Sequence, residues 1–319
     1  MRQVLLVGLG RMGMNHLRNL IRLLPRESIW AYDPNSEAQQ RALHEGINVI
    51  KHDKQIEPLV PRISHAIIAT PTTTHIEWIK RLASAVDNIL VEKPVVNASS
   101  EASEILKMVN RPNVQIFGGF VERFNPSFSE LRRQLEALDS VFAATFTRTS
   151  KTSSRILDVD VLSDLLVHDL DLANLLFGEI KKISATGTAL HGEIDHADVM
   201  ITHVSGVKSR LTASRVVHRK IRLIEVNGAN GRLECDLLKK DLLLLRDLQE
   251  SEIPGKPYKL LSQSEVIEVK ATEPLFVELS HFLNGKGSSE GAPTFHTLTD
   301  ALELAHQVEK IRMEIKSDL

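Results

Sequence analysis

The stretch Val4-Leu5-Leu6-Val7-Gly8-Leu9-Gly10-Arg11-Met12-Gly13 decides how the first third of this 319-residue chain folds. Its apolar residues predict a short buried strand, and its three glycines have the spacing of a tight strand-to-helix turn. Apolar residues recur at helical spacing after the turn, and a second apolar run ends in Asp33, twenty residues beyond Gly13. Together these features predict a βαβ unit with the dinucleotide-binding fingerprint.

Each part of the fingerprint has a task in holding a dinucleotide. The glycines permit a tight turn, close approach of the pyrophosphate and helix packing, while the helix N-terminus offers N–H groups to the phosphates. Asp33 is expected to bind the ribose hydroxyls, where a carboxylate repels a 2′-phosphate. The next residues, 34–36, carry no cation to receive one. The sequence therefore predicts NAD as cofactor in preference to NADP.

Composition excludes several other classes of protein. A net charge of −2, with acidic and basic residues interspersed, offers no extended positive surface to nucleic acid or an anionic membrane. The single cysteine, Cys235, excludes an intramolecular disulfide and a cysteine-rich metal site. No stretch indicates a signal peptide or a membrane span. We expect a cytoplasmic protein with no metal site.

The rhythm of apolar segments predicts an α/β protein with two domains. Apolar runs alternate with helical segments up to residue 118, which is typical of a Rossmann doubly wound parallel sheet. Successive strands separated by turn residues then predict an α+β domain with a large, mostly antiparallel open sheet. The predicted domains are 1–122, which binds the nucleotide, and 123–319, which binds the substrate.

Two segments at predicted strand ends are candidate site elements. Thr70-Pro71-Thr72 and Glu92-Lys93-Pro94 follow the fourth and fifth runs, at the sheet edge where ligands bind. Threonines and a proline suit the wall of a cofactor cleft, although a capped turn into the next helix uses the same residue types. Lys93 can polarise a hydroxyl or move its proton if burial lowers its pKa, whereas an exposed loop lysine is more common.

A predicted helix in the second domain, 158–177, carries a third candidate. Asp164 lies four residues before His168 and therefore on the same helix face, where a carboxylate can orient an imidazole for acid–base chemistry. A solvated polar stripe on a helix with a buried apolar face explains the same pattern. The further ligands of a convincing zinc motif are missing.

The order and spacing of these motifs resemble the glucose-fructose oxidoreductase, inositol dehydrogenase and rhizopine catabolism (Gfo/Idh/MocA) family of NAD(P)-dependent sugar and polyol oxidoreductases. The resemblance covers essentially the whole chain. It implies that Lys93, Asp164 and His168 are catalytic and that the Lys93–Pro94 bond is cis. The cofactor contacts predicted from the motifs and the resemblance are Gly8, Gly10, Arg11, Met12, Gly13, Asp33, Thr70, Pro71, Thr72, His75, Glu92 and Lys93.

Within the family, residues 119–126 and 161–172 and the pair 214–215 are most similar to bacterial UDP-N-acetylglucosamine 3-dehydrogenases. That resemblance implies hydride transfer from C3 of the sugar to NAD, while His168 takes the hydroxyl proton, Lys93 polarises the oxygen and Asp164 orients His168. The candidate substrate contacts are Arg123, Asn125, Arg155 and Arg215. A homodimer or homotetramer is also implied, because the second-domain sheet of the family pairs with another subunit.

Two other functions stay open. A dehydrogenase of myo-inositol or another free sugar or polyol would use the same lysine, aspartate and histidine and differ only in the distal pocket. A non-catalytic NAD-binding regulator would need no proton-transfer pair, so Lys93 and His168 argue against it. Phosphoryl transfer is excluded, because no Gly-Lys-Ser/Thr follows the glycine turn.

Overall fold

The computed structural model describes residues 2–109, 113–151, 159–190, 192–247, 262–285 and 293–318. The chain divides into two compact units, of which the first comprises Met1–Phe124 and Glu273–Gln307 and the second comprises Asn125–Thr272 and Val308–Leu319. The division at Phe124 lies close to the predicted boundary at residue 122. The segment Glu273–Gln307, which the prediction placed in the second domain, instead forms part of the first unit.

The first unit contains a seven-stranded sheet in which the six strands that come first along the chain, β1 to β6, are parallel. Its order is β15-β6-β5-β4-β1-β2-β3, and the strands are β1 (Val4–Val7), β2 (Ile29–Tyr32), β3 (Asn48–Ile50), β4 (His65–Ile68), β5 (Asn88–Glu92), β6 (Gln115–Gly119) and β15 (His296–Thr297). Apart from β15, which runs antiparallel to β6, this is the strand order of dinucleotide-binding sheets, with its reversal between β1 and β4. The predicted doubly wound parallel sheet is confirmed.

The helices of this unit follow the predicted alternation, and one addition comes from the far end of the chain. They are α1 (Arg11–Leu23), α2 (Ser36–His44), α3 (His75–Ala83), α4 (Ser99–Met108) and α7 (Pro274–Asn284), with α8 (Leu298–Ser317) continuing into the second unit. Between β3 and β4 the alternation is interrupted, because the chain forms only two short 3₁₀ turns there, Asp53–Gln55 and Val60–Arg62. Leu275, Leu279 and Phe282 of α7 belong to the same buried cluster as Leu17 and Leu20 of α1, so the sheet core recruits a helix distant in sequence.

The second unit contains an eight-stranded, mostly antiparallel sheet, as predicted. Its order is β14-β13-β12-β11-β7-β10-β9-β8, in which only β7 and β10 pair in parallel. The strands are β7 (Ala143–Thr149), β8 (Ile180–Ala189), β9 (Ile194–His203), β10 (Lys208–Ser214), β11 (Ile221–Gly228), β12 (Gly231–Asp236), β13 (Asp241–Asp247) and β14 (Ser262–Ile267). Beside the sheet lie α5 (Pro126–Gln134) and α6 (Val167–Phe177).

Neither a membrane-spanning helix nor a metal-binding cluster is present in the described ranges. No helix there is both long enough and apolar enough to cross a membrane. No group of three or more His, Cys, Asp or Glu side chains within these ranges is placed to hold a metal ion. The cysteine, Cys235, is a buried thiol in β12.

Candidate cofactor and catalytic sites

The turn between β1 and α1 requires glycine at two positions. Gly8 has a φ of +92°, and a Cβ built on it would lie 2.5 Å from the carbonyl oxygen of Ala69. A Cβ on Gly13 would lie 1.9 Å from the carbonyl oxygen of Gly8. Any larger residue at either position would push the loop after β4 or α1 away from β1. The glycine spacing therefore fixes how closely these three elements pack.

Gly10, between them, faces open space, since no atom lies within 4 Å of a Cβ built on it. It is the N-cap of α1 and places no side-chain cap on the first-turn N–H groups. These groups border a cleft of about 610 Å³ lined by Val7, Gly8, Gly10, Tyr32, Asp33, Pro34, Asp53, Ala69, Thr70, Pro71, Thr74, Glu77, Trp78 and Arg81. An uncapped helix N-terminus behind an open glycine fits the pyrophosphate of a dinucleotide.

Asp33 is held at the end of β2 by two backbone groups. Its Oδ2 accepts a hydrogen bond from the Leu9 amide at 2.7 Å, and its Oδ1 accepts one from the Asn35 amide at 2.8 Å. The carboxylate is half-buried and lines the cleft beside the glycine turn. This position is compatible with the ribose hydroxyls, and the contact of Asp33 with them stays a prediction.

His75 joins the loops that follow β4 and β5. Its ring is 1% exposed, with Nε2 2.9 Å from the Thr70 carbonyl and Nδ1 3.1 Å from the Pro94 carbonyl. Burial lowers the pKa of His75, although these carbonyl contacts act in the opposite direction. His75 is thus buried against the backbone of Thr70, which lines the cleft together with Pro71, and its contact with the cofactor stays a prediction. Thr72 begins the 3₁₀ turn that leads into α3.

The Glu92-Lys93-Pro94 segment is held by a buried contact between Glu92 and His16. Glu92 Oε1 lies 2.6 Å from Nε2 of the fully buried His16 on α1, and Oε2 accepts from the Lys93 amide at 3.3 Å. Lys93 is half-buried at the end of β5, and its bond to Pro94 is cis, as predicted.

The charge of Glu92 also acts on Glu278 of α7. Burial, followed by the charge of Glu92, raises the pKa of the fully buried Glu278 well above its usual range.

In the second unit, the predicted proton-transfer residues occupy an irregular helix. Asp164 lies in a π-helical turn, Leu162–Leu166, and His168 is the second residue of α6, the helix that follows it. Both side chains are half-buried. Single π-helical turns inside α-helices occur frequently at functional sites. The residues of the predicted helix before 159 lie outside the described ranges.

Three arginines from other elements bind the segment that carries Asp164 and His168. Arg148 of β7 makes a bidentate pair with Asp169, at 2.9 and 2.8 Å. Arg312 of α8 donates to Asp160 at 2.7 Å, and Arg215, just after β10, donates to the Val159 carbonyl at 2.5 Å. We call these residues the arginine frame. It fixes the segment 159–169 at both ends.

The predicted substrate contacts have partners inside their own units. Arg215 pairs with Asp195 and is 4% exposed, Arg123 is 5% exposed with its NH1 3.4 Å from the Thr294 carbonyl, and Asn125 caps α5. Arg155 lies outside the described residues. Their roles toward a substrate therefore stay predictions. The structure shows in addition that Arg215 binds the Val159 carbonyl and so helps to position the segment that carries His168.

Sequence reasoning missed several side chains around the cleft and the helix. They are His16, Trp78, Arg81 and Arg148. An arginine on an amphipathic helix indicates a solvated face, and nothing local in the sequence shows that Arg148 is buried against Asp169. The contact of His16 with Glu92 joins residues 76 positions apart.

Two family descriptions match the chain in succession. Residues 2–120 match the Gfo/Idh/MocA family described as an oxidoreductase family with an NAD-binding Rossmann fold, and residues 138–234 match its C-terminal domain. The chain belongs to the Gfo/Idh/MocA oxidoreductase family. Its cofactor is NAD, in agreement with the glycine turn and Asp33.

Several members of this family that are similar to the chain are named sugar or polyol dehydrogenases. The scyllo-inositol 2-dehydrogenase (NAD(+)) of Bacillus subtilis (strain 168) is 30% identical over 302 residues, covering 88% of this chain and 86% of the relative. The UDP-N-acetylglucosamine 3-dehydrogenase of Acidithiobacillus ferrooxidans (strain ATCC 23270) is 26% identical over 281 residues, covering 87% and 86%.

Solved structures of family members share the fold. A structure of UDP-N-acetylglucosamine 3-dehydrogenase from Acidithiobacillus ferrooxidans matches with a TM-score of 0.85 at 24% identity, covering 99% of this chain and 97% of that one. Levoglucosan dehydrogenase in complex with NADH matches with a TM-score of 0.82 at 18% identity, covering 99% and 97%. The chain thus has the fold of these oxidoreductases along its whole length.

Proposed function

We propose that this oxidoreductase oxidises a secondary ring hydroxyl of a nucleotide sugar, C3 of UDP-N-acetylglucosamine, to the ketone. The observation that carries the dehydrogenase chemistry is the placement of Lys93 at the carboxyl end of β5, on the sheet edge that also carries the glycine turn and Asp33. The choice of substrate is supported by the similarity to the Acidithiobacillus enzyme over 87% of the chain.

In this proposal each residue has one task. NAD, when bound, supplies the hydride acceptor. Lys93 donates a hydrogen bond to the reacting hydroxyl oxygen and stabilises the negative charge that develops on it. His168 takes the hydroxyl proton, and Asp164 keeps its ring oriented and basic. The arginine frame contributes by holding the His168 segment in one position, so the base needs no ordering during the reaction.

A second candidate is an inositol or other free-polyol dehydrogenase. The observation that favours it is the 30% identity to scyllo-inositol 2-dehydrogenase, higher than the 26% identity to the nucleotide-sugar enzyme. In addition, Arg123 and Arg215 are buried in contacts within the protein, so fewer of the predicted arginines are accessible to the diphosphate of a nucleotide sugar. The same lysine and histidine would act in both reactions.

The test is the absorbance of reduced nicotinamide with NAD and a panel of UDP-N-acetylglucosamine, its uronic acid form, myo-inositol, scyllo-inositol and glucose. A carbonyl trap removes the keto product, since oxidation of a sugar hydroxyl by NAD can be unfavourable at equilibrium. We expect turnover with UDP-N-acetylglucosamine. Turnover with an inositol alone would establish the second candidate, and NAD binding without any turnover across the trapped panel would contradict both.

The same proposal includes a homodimer or homotetramer that assembles through the second-unit sheet. The support is the alternation along β9, where the buried Val199 and Ile201 flank Met200, which is 49% exposed. Sedimentation equilibrium measures the assembly state. A monomer at micromolar concentration would contradict this part alone.

A further inference from the structure

The adenosine end of the cofactor cleft contains a cation that the residues after Asp33 do not supply. Arg81, on α3, lines the cleft together with Tyr32, Asp33, Asp53 and Trp78. Its side chain is 22% exposed. An arginine near the ribose-binding residue is the group with which dinucleotide-binding folds receive the 2′-phosphate of NADP. The cleft of an NAD-binding protein therefore holds a group suited to the other cofactor.

This guanidinium is already engaged by two carboxylates. Arg81 NH1 donates to Asp53 Oδ1 at 2.9 Å, while NH2 and Nε donate to Glu57 Oε1 at 2.6 and 3.1 Å. Its central carbon lies 4.4 Å from the centre of the Trp78 ring. Each of its three nitrogens thus donates one hydrogen bond, and one face of the guanidinium is covered, by neighbours within the same unit.

The electrostatics of the cleft agree with this arrangement. Partial burial acts to lower the pKa of Arg81, but the hydrogen bonds to Asp53 and Glu57 outweigh it, so the pKa is raised. The pKa of Tyr32 is raised, first by burial and then by the charge of Asp53. The charge of Arg81 acts to lower this pKa, and the charge of Asp33 acts to raise it. One phenol therefore senses all three charged groups, which places them in electrostatic range of the same end of the cleft.

We propose that Asp53 and Glu57 are specificity-determining residues, because they hold Arg81 in a carboxylate pair and so prevent it from receiving a 2′-phosphate. The inference rests on the assignment of this cleft as the NAD site. Discrimination then has two parts. Asp33 repels the phosphate directly, while Asp53 and Glu57 withhold Arg81, the one arginine among the described residues of the lining, from binding it bidentately.

The test is a thermodynamic cycle on cofactor binding, which requires no substrate. Dissociation constants for NADH and NADPH are measured by nucleotide fluorescence, and the specificity ratio is the NADPH constant divided by the NADH constant. The variants are Asp53→Asn/Glu57→Gln, Arg81→Gln, and the triple variant. Glu104→Gln is the matched control. It removes a carboxylate of α4 that pairs with Lys80, a residue on the same helix as Arg81, and neither Glu104 nor Lys80 lines the cleft.

We expect Asp53→Asn/Glu57→Gln to lower the specificity ratio about tenfold, the effect of one charge-assisted hydrogen bond to phosphate. Arg81→Gln should change the ratio less than about threefold in the wild-type background and reverse most of the decrease in the double variant. Glu104→Gln should leave the ratio within about twofold.

Three results would overturn the inference. The first is a specificity ratio in the double variant equal to that of the wild type. The second is an equal decrease in the triple variant, which would show that lost negative charge alone is responsible. The third is a large increase in the ratio for Arg81→Gln alone, which would show that Arg81 already binds the 2′-phosphate. Wild-type protein that binds neither nucleotide would instead refute the cofactor site, a failure distinct from these three.

Discussion

The glycine turn of the first unit and the arginine frame of the second unit position functional groups by opposite means. At the turn, Gly8 and Gly13 succeed because they lack side chains, and backbone atoms approach to distances that no Cβ permits. Around the His168 segment, long side chains cross from β7, α8 and the end of β10 to bind Asp169, Asp160 and the Val159 carbonyl. The first arrangement tolerates no added atom, and the second tolerates no missing partner.

The largest expected effect concerns the two residues assigned to chemistry, one in each unit. Lys93→Met and His168→Ala should each lower turnover by about 10²–10⁴-fold, the usual range for general acid–base catalysis. Steady-state kinetics on the substrate identified by the panel measures this effect, and NADH titration of His168→Ala checks that cofactor binding persists. Full turnover in either variant would remove that residue from the mechanism.

The arginine frame predicts the next largest effect. Arg148→Met leaves Asp169 buried without its guanidinium and should lower the free energy of unfolding by about 3–5 kcal/mol. Lys80→Met, which breaks an exposed pair, should cost about 0–1 kcal/mol. Urea unfolding monitored by circular dichroism compares the two variants. Similar small losses in both would mean that the frame does not hold the His168 segment.

The glycine turn can be tested against a glycine of matching conformation. Gly8→Ala combines a φ of +92° with a Cβ 2.5 Å from the Ala69 carbonyl oxygen, whereas Gly206 has a φ of +91° with nothing within 4 Å. We expect a loss of about 2–4 kcal/mol for Gly8→Ala and about 1–2 kcal/mol for Gly206→Ala. Equal losses in urea unfolding would show that backbone conformation, and not close packing, explains the requirement at Gly8.

A buried histidine in the first unit predicts a dependence of stability on pH. Burial, followed by the charge of Arg2, lowers the pKa of His65 to about 4. Between pH 6.5 and 4 the His65 ring is protonated in the unfolded chain but not in the folded chain, so the free energy of unfolding decreases as the pH falls through this range. Below pH 4 both states are protonated, and His65 causes no further loss. His65→Phe, which keeps an aromatic ring against Phe282, should reduce the loss between pH 7 and 4.5 by about 2.5 kcal/mol. An unchanged pH profile would contradict this assignment.

The smallest predicted effect belongs to Asp33, the carboxylate proposed to bind the ribose. Asp33→Ala should weaken NADH binding about tenfold and reduce the discrimination against NADPH, since one charge-assisted hydrogen bond and one repulsion are lost. Asp33→Asn keeps an acceptor for the Leu9 amide and should retain more of the NADH affinity. Fluorescence titration separates the two variants. Unaltered constants would remove Asp33 from the ribose.

The sequence predicted those features that depend on local pattern. The glycine turn, the alternation of strands and helices and the mostly antiparallel second sheet all have short-range signatures, and the structure confirms them. Features that join distant segments had no such signature. The apolar face of α7 shows that the helix is buried but not that it packs against α1, and the bond between Arg148 and Asp169 depends on how β7 approaches α6.

The lining of the cleft also depends on contacts between distant segments, which local sequence patterns do not predict. Residues 34–36 correctly indicated that no cation follows Asp33 along the chain, yet Arg81 reaches the cleft from α3. Local sequence could not reveal this, because Asp53 and Glu57, which hold Arg81, lie 28 and 24 residues before it. A specificity site is thus assembled from three segments whose patterns are individually those of a solvated surface.

The two-residue strand β15 has a consequence for association between molecules. It pairs His296 and Thr297 with Gly118 and Phe117 of β6, and so covers the backbone groups at one margin of the first-unit sheet. At the opposite margin, β3 is only three residues long, Asn48–Ile50. Uncovered sheet margins recruit strands from neighbouring chains and begin aggregation, and short or covered margins prevent it. The late return of the chain to β6 therefore protects the nucleotide-binding unit against self-templated fibre growth.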